Sequence, residues 1–308
     1  MARQQNSGSA VIPDVGGAER GVHHRRVAIE GLDIFYREAG PADAPTLVLL
    51  PGFPSASHQY ARLIDRLSDE VHLLAPDYPG FGNSSAPASS RSGGTFDYTF
   101  DHLADVTERF LTALGVDRFF LYVFDFGAPV GYRIAARHPD WILGVIAQNG
   151  NAYEIGLGPG MQAAMKYWAD RDGMEDTIRG ALTLAATRAQ HVEGAADPAL
   201  VSPDSWMLDQ YWLDTPGRAQ VMLDLLYDYQ SNVALYPAWQ HWLREYQPPL
   251  LLPWGRNDAF FPEAGARAYL KDVPGAELHL LNGGHFVLDE YVDTVAGLIR
   301  EFIARHPA

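Results

Sequence analysis

Asp125 stands where the apolar run Leu121-Tyr122-Val123-Phe124 hands over to Phe126-Gly127-Ala128, a strand passing into a helix with a single acid at the joint. A carboxylate placed there is costly to bury unless something uses it. In a strand-turn-helix elbow the residue at the tip stands above the sheet and the next backbone N–H points at the same place. An attacking group and an oxyanion donor then come from adjacent residues. The other common employment of such an aspartate is to cap the following helix. Two further residues bear on the choice. Asp258 follows the apolar run 250–254 through Gly255-Arg256-Asn257, and His285 follows the run 277–281 through Asn282-Gly283-Gly284. Each lies beyond the C-terminal end of a strand, the edge of an open parallel sheet at which sites assemble. The order nucleophile, acid, histidine is that of a hydrolytic triad, a far more specific pattern than any one member.

The elements that must position these residues are legible in the hydrophobic pattern. Alternation over 26–30 and 32–36, interrupted by Gly31, predicts two strands joined by a tight turn, and the continuous run 46–50 predicts a strand buried on both faces. A helix is expected at 57–67, a strand at 71–75, a helix at 101–114, a strand at 119–124, a helix at 127–137 and a strand at 141–147. The Ser/Ala/Gly-rich stretch 83–94 reads as an exposed loop. Strands alternating with helices imply an α/β fold, a mostly parallel, doubly wound sheet. The rhythm breaks between 151 and 247, which is rich in Trp, Tyr and Met and lacks a convincing buried strand, and resumes with strands at 250–254 and 277–281 and helices at 262–271 and 288–305. The division expected is a tail over 1–21, a core made of 22–150 and 248–308, and an inserted helical cap over 151–247.

Composition excludes several classes of function. The chain has 308 residues, 47% of them hydrophobic and 20% charged, enough for a large core. It contains no cysteine, so disulfides, thiol nucleophiles and Cys-ligated metal sites are out of reach. A formal net charge of −15 repels a phosphate backbone, which argues against nucleic-acid binding. No apolar run has the length of a membrane helix and the N-terminal residues do not resemble a secretory signal, so a cytoplasmic location is expected. The pair His23-His24 leads into the first predicted strand; adjacent residues in extended chain point to opposite faces and no carboxylate cluster is near, so the pair reads as surface and not as a metal site. Gly80-Phe81-Gly82 lacks the third glycine of a dinucleotide fingerprint. Neither metal nor cofactor is expected.

With these residues in place, the sequence from about His24 to its C-terminal end resembles the α/β-hydrolase superfamily. No G-x-S-x-G occurs. Asp125 occupies the nucleophile position, as in epoxide hydrolases and haloalkane or haloacetate dehalogenases. Pro51-Gly52-Phe53-Pro54 resembles the H-G-x-P oxyanion turn of epoxide hydrolases, and Asp77-Tyr78-Pro79-Gly80-Phe81-Gly82-Asn83-Ser84 resembles the family's D-x-P-G-x-G-x-S loop. The resemblance implies that Asp125 attacks a saturated carbon, that His285, oriented by Asp258, activates the water that hydrolyses the resulting ester, and that the N–H groups of Phe53 and Phe126 hold the oxyanion. It also implies two cap tyrosines that protonate an epoxide oxygen. Tyr167 in Lys166-Tyr167-Trp168 and Tyr229 in Asp228-Tyr229-Gln230-Ser231-Asn232 match their segments, with Tyr153, Tyr227 and Tyr236 as rivals.

The expected activity is therefore epoxide opening on a small apolar substrate, in a pocket walled by Phe53, Phe126 and Trp168. Carbon–halogen hydrolysis is the alternative. Phe126 and Phe53 replace the Trp and Asn that donate to halide in haloalkane dehalogenases, and the Arg following the haloacetate dehalogenase nucleophile is missing; an indole from Trp168, Trp206, Trp212, Trp239 or Trp242 would have to substitute. Pro51, Val123 and Phe124 stand where the family usually has His, Gly and His. These departures keep open a third reading, a binding protein without activity on the same fold.

Overall fold

Every residue of the central strand, Phe119–Phe124, is buried, and its side chains divide strictly by parity. Phe119, Leu121 and Val123 enter one apolar core, while Phe120, Tyr122 and Phe124 enter another on the opposite face. A strand covered on both faces has no polar side to present, which is why the run reads as continuously apolar.

The computed structural model describes residues 21–307. The expected tail over 1–21 thus lies almost wholly outside the described residues. Eight strands form one sheet: β1 (His23–Ile29), β2 (Leu32–Ala39), β3 (Thr46–Leu50), β4 (His72–Pro76), β5 (Phe119–Phe124), β6 (Ile142–Gln148), β7 (Leu250–Gly255) and β8 (Glu277–Leu281). Their spatial order is β1-β2-β4-β3-β5-β6-β7-β8. The first two strands pair antiparallel with each other, and β2 runs antiparallel to β4; the remaining pairings are parallel. Beside these run α1 (Ala61–Leu67), α2 (Phe100–Ala113) and α3 (Gly127–Arg137). Next come α4 (Gln162–Ala169), α5 (Arg171–Arg179), α6 (Leu184–Val192), α7 (Pro203–Asp214) and α8 (Arg218–Tyr246), then α9 (Glu263–Asp272) and α10 (Leu288–Arg305).

Helices α1 and α10 cover one face of the sheet; α2, α3, α8 and α9 cover the other. Among the described residues, the stretch from β6 to β7 holds helices and turns and no strand. Its apolar side chains, including Tyr229, Tyr236 and Trp239, join the same core cluster as Val123 and Phe126, so the helical segment is packed continuously onto the sheet side that carries the elbow. The helix expected at 57–67 is broken: Ser57–Tyr60 is a 3₁₀ turn and α1 starts at Ala61. Asp77 accounts for this. Its Oδ1 accepts the Ser57 N–H at 2.7 Å and its Oδ2 accepts the Asn83 N–H at 2.8 Å, tying the turn to the loop that follows β4. No described helix is long and apolar enough to cross a membrane.

Candidate active site

Strand β5 delivers Asp125 to the elbow with φ of 48°, the left-handed region that costs most residues energy and that aspartate tolerates better than most. Two glycines make room for this turn. A Cβ at Gly52 would lie 2.5 Å from the Asp125 Cβ, and one at Gly127 would run into the Leu50 carbonyl of the neighbouring strand. With both absent, the turn after β3 closes against the elbow and the Phe53 N–H donates to Asp125 Oδ1 at 2.6 Å. Asp125 is 7% exposed. Burial pushes its pKa up; His285 and the N–H groups of Phe53 and Phe126 oppose that without cancelling it.

The departures at this elbow are absorbed by neighbours. Val123 fits because α3 has glycine opposite: a Cβ at Gly131 would come within 2.6 Å of Val123 Cγ1. Phe124 packs at a tilt against His285, ring centroids 4.6 Å apart, and so confines the imidazole from the strand side.

His285 and Asp258 arrive from the loops after β8 and β7. His285 Nδ1 lies 2.7 Å from Asp258 Oδ2; a carboxylate only accepts, so Nδ1 carries the proton and Nε2 is left to face Asp125. The distance from Nε2 to Asp125 Oδ2 is 3.7 Å, too long for a direct hydrogen bond and within the span of one bridging water. Burial alone would depress the imidazolium, but Asp258 and then Asp125 outweigh it, and the His285 pKa is raised. Sequence reasoning missed what holds Asp258. Asn149, at the end of β6 with φ of 43°, donates to Asp258 Oδ2 at 2.8 Å and to the Gly255 carbonyl at 3.1 Å, and accepts the Gly255 N–H at 2.9 Å. The Phe260 N–H completes the carboxylate's partners at 2.7 Å. The available signal was Asn149-Gly150-Asn151, a polar run directly after an apolar strand.

Above the three residues lies a cavity of about 210 Å³ walled by Phe53, Asp125, Phe126, Tyr229, Phe260 and His285, with further apolar surface from α4, α5 and α6. Tyr229 is 1% exposed, and burial first, then Tyr236 and Asp125, raises its pKa well above the ordinary phenol value. Its hydroxyl lies 3.4 Å from that of Tyr236, which accepts a hydrogen bond from Asn151 Nδ2 at 3.2 Å.

Tyr167, the expected second phenol, does not line this cavity. The turn ending at Met161 and then α4 at Ala164 pass the site, and one turn later Tyr167 packs edge-on to Tyr227 with the Arg171 guanidinium over its ring. Trp168 also sits one layer back. It stacks on Tyr229 with ring centroids 5.9 Å apart, and its indole N–H is spent on the Leu226 carbonyl at 2.8 Å. None of the tryptophans lines the cavity. The rival Tyr153 donates to Asp272 instead.

The model of the alpha/beta hydrolase fold family matches residues 45–291. The chain belongs to that family. Among its relatives, an uncharacterized hydrolase of Saccharomyces cerevisiae is 36% identical over 288 residues, which cover 92% of this chain and 97% of the relative. A haloalkane dehalogenase of Psychrobacter cryohalolentis is 26% identical over 285 residues, 90% of this chain and 89% of the relative. Among solved structures, the epoxide hydrolase CorEH superposes with a TM-score of 0.74 at 19% identity, over 92% of this chain and 99% of the other, which speaks for the fold.

Proposed function

We propose that this alpha/beta hydrolase opens epoxides to diols through an ester on Asp125. The observation that carries the reading is that a buried phenol, Tyr229, shares the cavity wall with Asp125, whereas no indole does. An epoxide oxygen leaves as an alkoxide and needs a proton; a halide needs only weak donors.

In this reading a carboxylate oxygen of Asp125 attacks one ring carbon, the ring C–O bond breaks, and Tyr229 passes its proton to the departing oxygen. Tyr236, hydrogen-bonded to it, shares the charge of the tyrosinate. The neutral Nε2 of His285 then takes a proton from water as the water oxygen adds to the ester carbonyl. The N–H groups of Phe53 and Phe126 hold the oxyanion. Collapse frees the diol and the Asp125 carboxylate, and the imidazolium proton returns to Tyr229. The helical segment acts as the cap that closes this site, and the substrate is a small, mainly apolar epoxide.

Carbon–halogen hydrolysis is the second reading, favoured by the sequence likeness to the Psychrobacter dehalogenase. One comparison separates them: wild type and Tyr229→Phe assayed on an aryl epoxide and on a bromoalkane. Losing the phenol should lower epoxide turnover by on the order of 10²–10³, as loss of an oxyanion donor does, and leave halide release almost untouched. Bromoalkane turnover with epoxides intact would replace this reading by the dehalogenase.

A further inference from the structure

The cavity wall contributed by α6 repeats at helical spacing: Ala186, Ala189 and Gln190, then Glu193 one turn beyond. Gln190 is the one carboxamide lining the cavity. It is 7% exposed, and among the described residues none takes a hydrogen bond from its side chain or gives one to it. A side-chain amide at the cavity wall with no partner among the described residues keeps its donors and acceptor for a group that enters the cavity.

Its position is held from both sides. Asn257 Nδ2 donates to the Gly194 carbonyl at 2.9 Å, and Gly284, next to His285, has no room for a Cβ because the Glu193 carbonyl packs against it. The adjacent residue, His191, is anchored to Asp209 and Asp289. The end of α6 is thus fastened to the loops that carry Asp258 and His285, so the amide is presented at a fixed place relative to the reacting groups. Charge narrows what it can meet. Asp125 and Glu193 both border the cavity, no Lys or Arg does, and the one imidazole there, His285, is already paired with Asp258, so a carboxylate on the substrate would be repelled.

We infer that Gln190 is a specificity-determining residue that recognises an uncharged hydrogen-bonding group, an amide, carbonyl or hydroxyl, on the part of the substrate outside the reacting ring. The preferred substrates are then neutral epoxides with an apolar body and one polar tip, in preference to plain hydrocarbon epoxides or epoxy acids. This rests on the epoxide reading above for the reaction, though not for the recognition.

The test compares 4-carbamoylstyrene oxide with 4-methylstyrene oxide, matched in size, on wild type and on Gln190→Met and Gln190→Asn. In parallel, binding of 4-ethylbenzamide and 4-ethyltoluene is followed by tryptophan fluorescence. Wild type should favour the amide of each pair. Gln190→Met should lower that preference about 3- to 10-fold, the worth of one neutral hydrogen bond, mainly through KM, and Gln190→Asn, whose amide is one methylene short, should keep part of it. Equal amide preference in wild type and Gln190→Met would overturn the inference while leaving the epoxide reading standing. A Gln190-dependent binding preference with neither epoxide consumed would do the reverse, supporting amide recognition and removing epoxide chemistry.

Discussion

At the scale of the residue, the question is how two carboxylates and one imidazole avoid neutralising one another. Asp258 has a full set of partners in Asn149, Phe260 and His285 and serves as the fixed anion. Asp125 is buried with fewer, and burial pushes its pKa up, so its charged form is the less stabilised of the two, which suits the attack proposed for it. In the proposed reaction, an ester on Asp125 would remove its charge, so that His285 would lose one of the groups that raise its pKa, which favours the neutral base at the step that needs it. Two expectations follow from this. His285→Gln should stop the reaction at the ester, and mass spectrometry should find the adduct on the peptide containing Asp125; an unmodified peptide while substrate is consumed would exclude Asp125 as nucleophile. In single turnover, hydrolysis of the ester should rise with pH along a limb set by His285, and Asp258→Asn, which removes the larger of the two charges raising that pKa, should move the limb toward acid while slowing the reaction by on the order of 10⁴.

At the scale of the element, the elbow works because bulk on β5 is matched by its absence on α3. Val123 is stiff and buried, and Gly131 faces it. Gly131→Ala should therefore destabilise by about 1 kcal/mol net, overpacking outweighing the gain in helix propensity, whereas Val123→Ala should create space for it. A double-mutant cycle by chemical denaturation should show the pair coupled by more than about 0.5 kcal/mol; additive effects would mean that the two do not share one space. Helix α8 makes a similar point for the phenols. Tyr229 and Tyr236 are two turns apart, which returns them to one face and lets their hydroxyls meet, whereas Tyr167 comes from a different helix that has already passed the site.

At the scale of the molecule, the helical segment is pinned to the sheet by a buried chain of ionisable groups. His58, from the turn before α1, and His191, from α6, both bond to Asp209 of α7, at 2.8 and 2.9 Å, and the other nitrogen of His191 reaches Asp289 of α10 at 2.8 Å. Burial alone would depress His191, but Asp209 and Asp289 prevail and its pKa is pushed up to about 9; the same bonds hold Asp209 well below the usual carboxylate range. Because the folded value exceeds the ordinary imidazole value near 6.5, this stabilisation is complete below that pH and is lost as pH rises through about 9. Thermal unfolding should show a loss of up to about 3 kcal/mol across that window. His191→Phe should be less stable at pH 6, by about 3–5 kcal/mol if Asp209 is left short of a partner, with the deficit shrinking toward pH 10. A deficit independent of pH would mean that His191 acts by packing alone.

What the sequence by itself determined is what depends on the run of the chain. An apolar stretch that ends in a polar residue defines a strand and its C-terminal edge, so Asp125, Asp258 and His285 could be assigned to one edge of one sheet without knowing any distance between them. The hydrogen-bonded pair and the elbow follow from that local grammar. Which aromatic side chains face the carboxylate was decided only in the tertiary structure. A helical tyrosine or tryptophan reads alike whether it borders a cavity, as Tyr229 does, or lies one layer behind, as Trp168 does, because the outcome depends on how helices from distant parts of the chain cross. Asn149 and Gln190 were hidden for the same reason. Each is an ordinary polar residue in sequence, and only packing shows what stands opposite it: the carboxylate of Asp258 in one case, a cavity in the other.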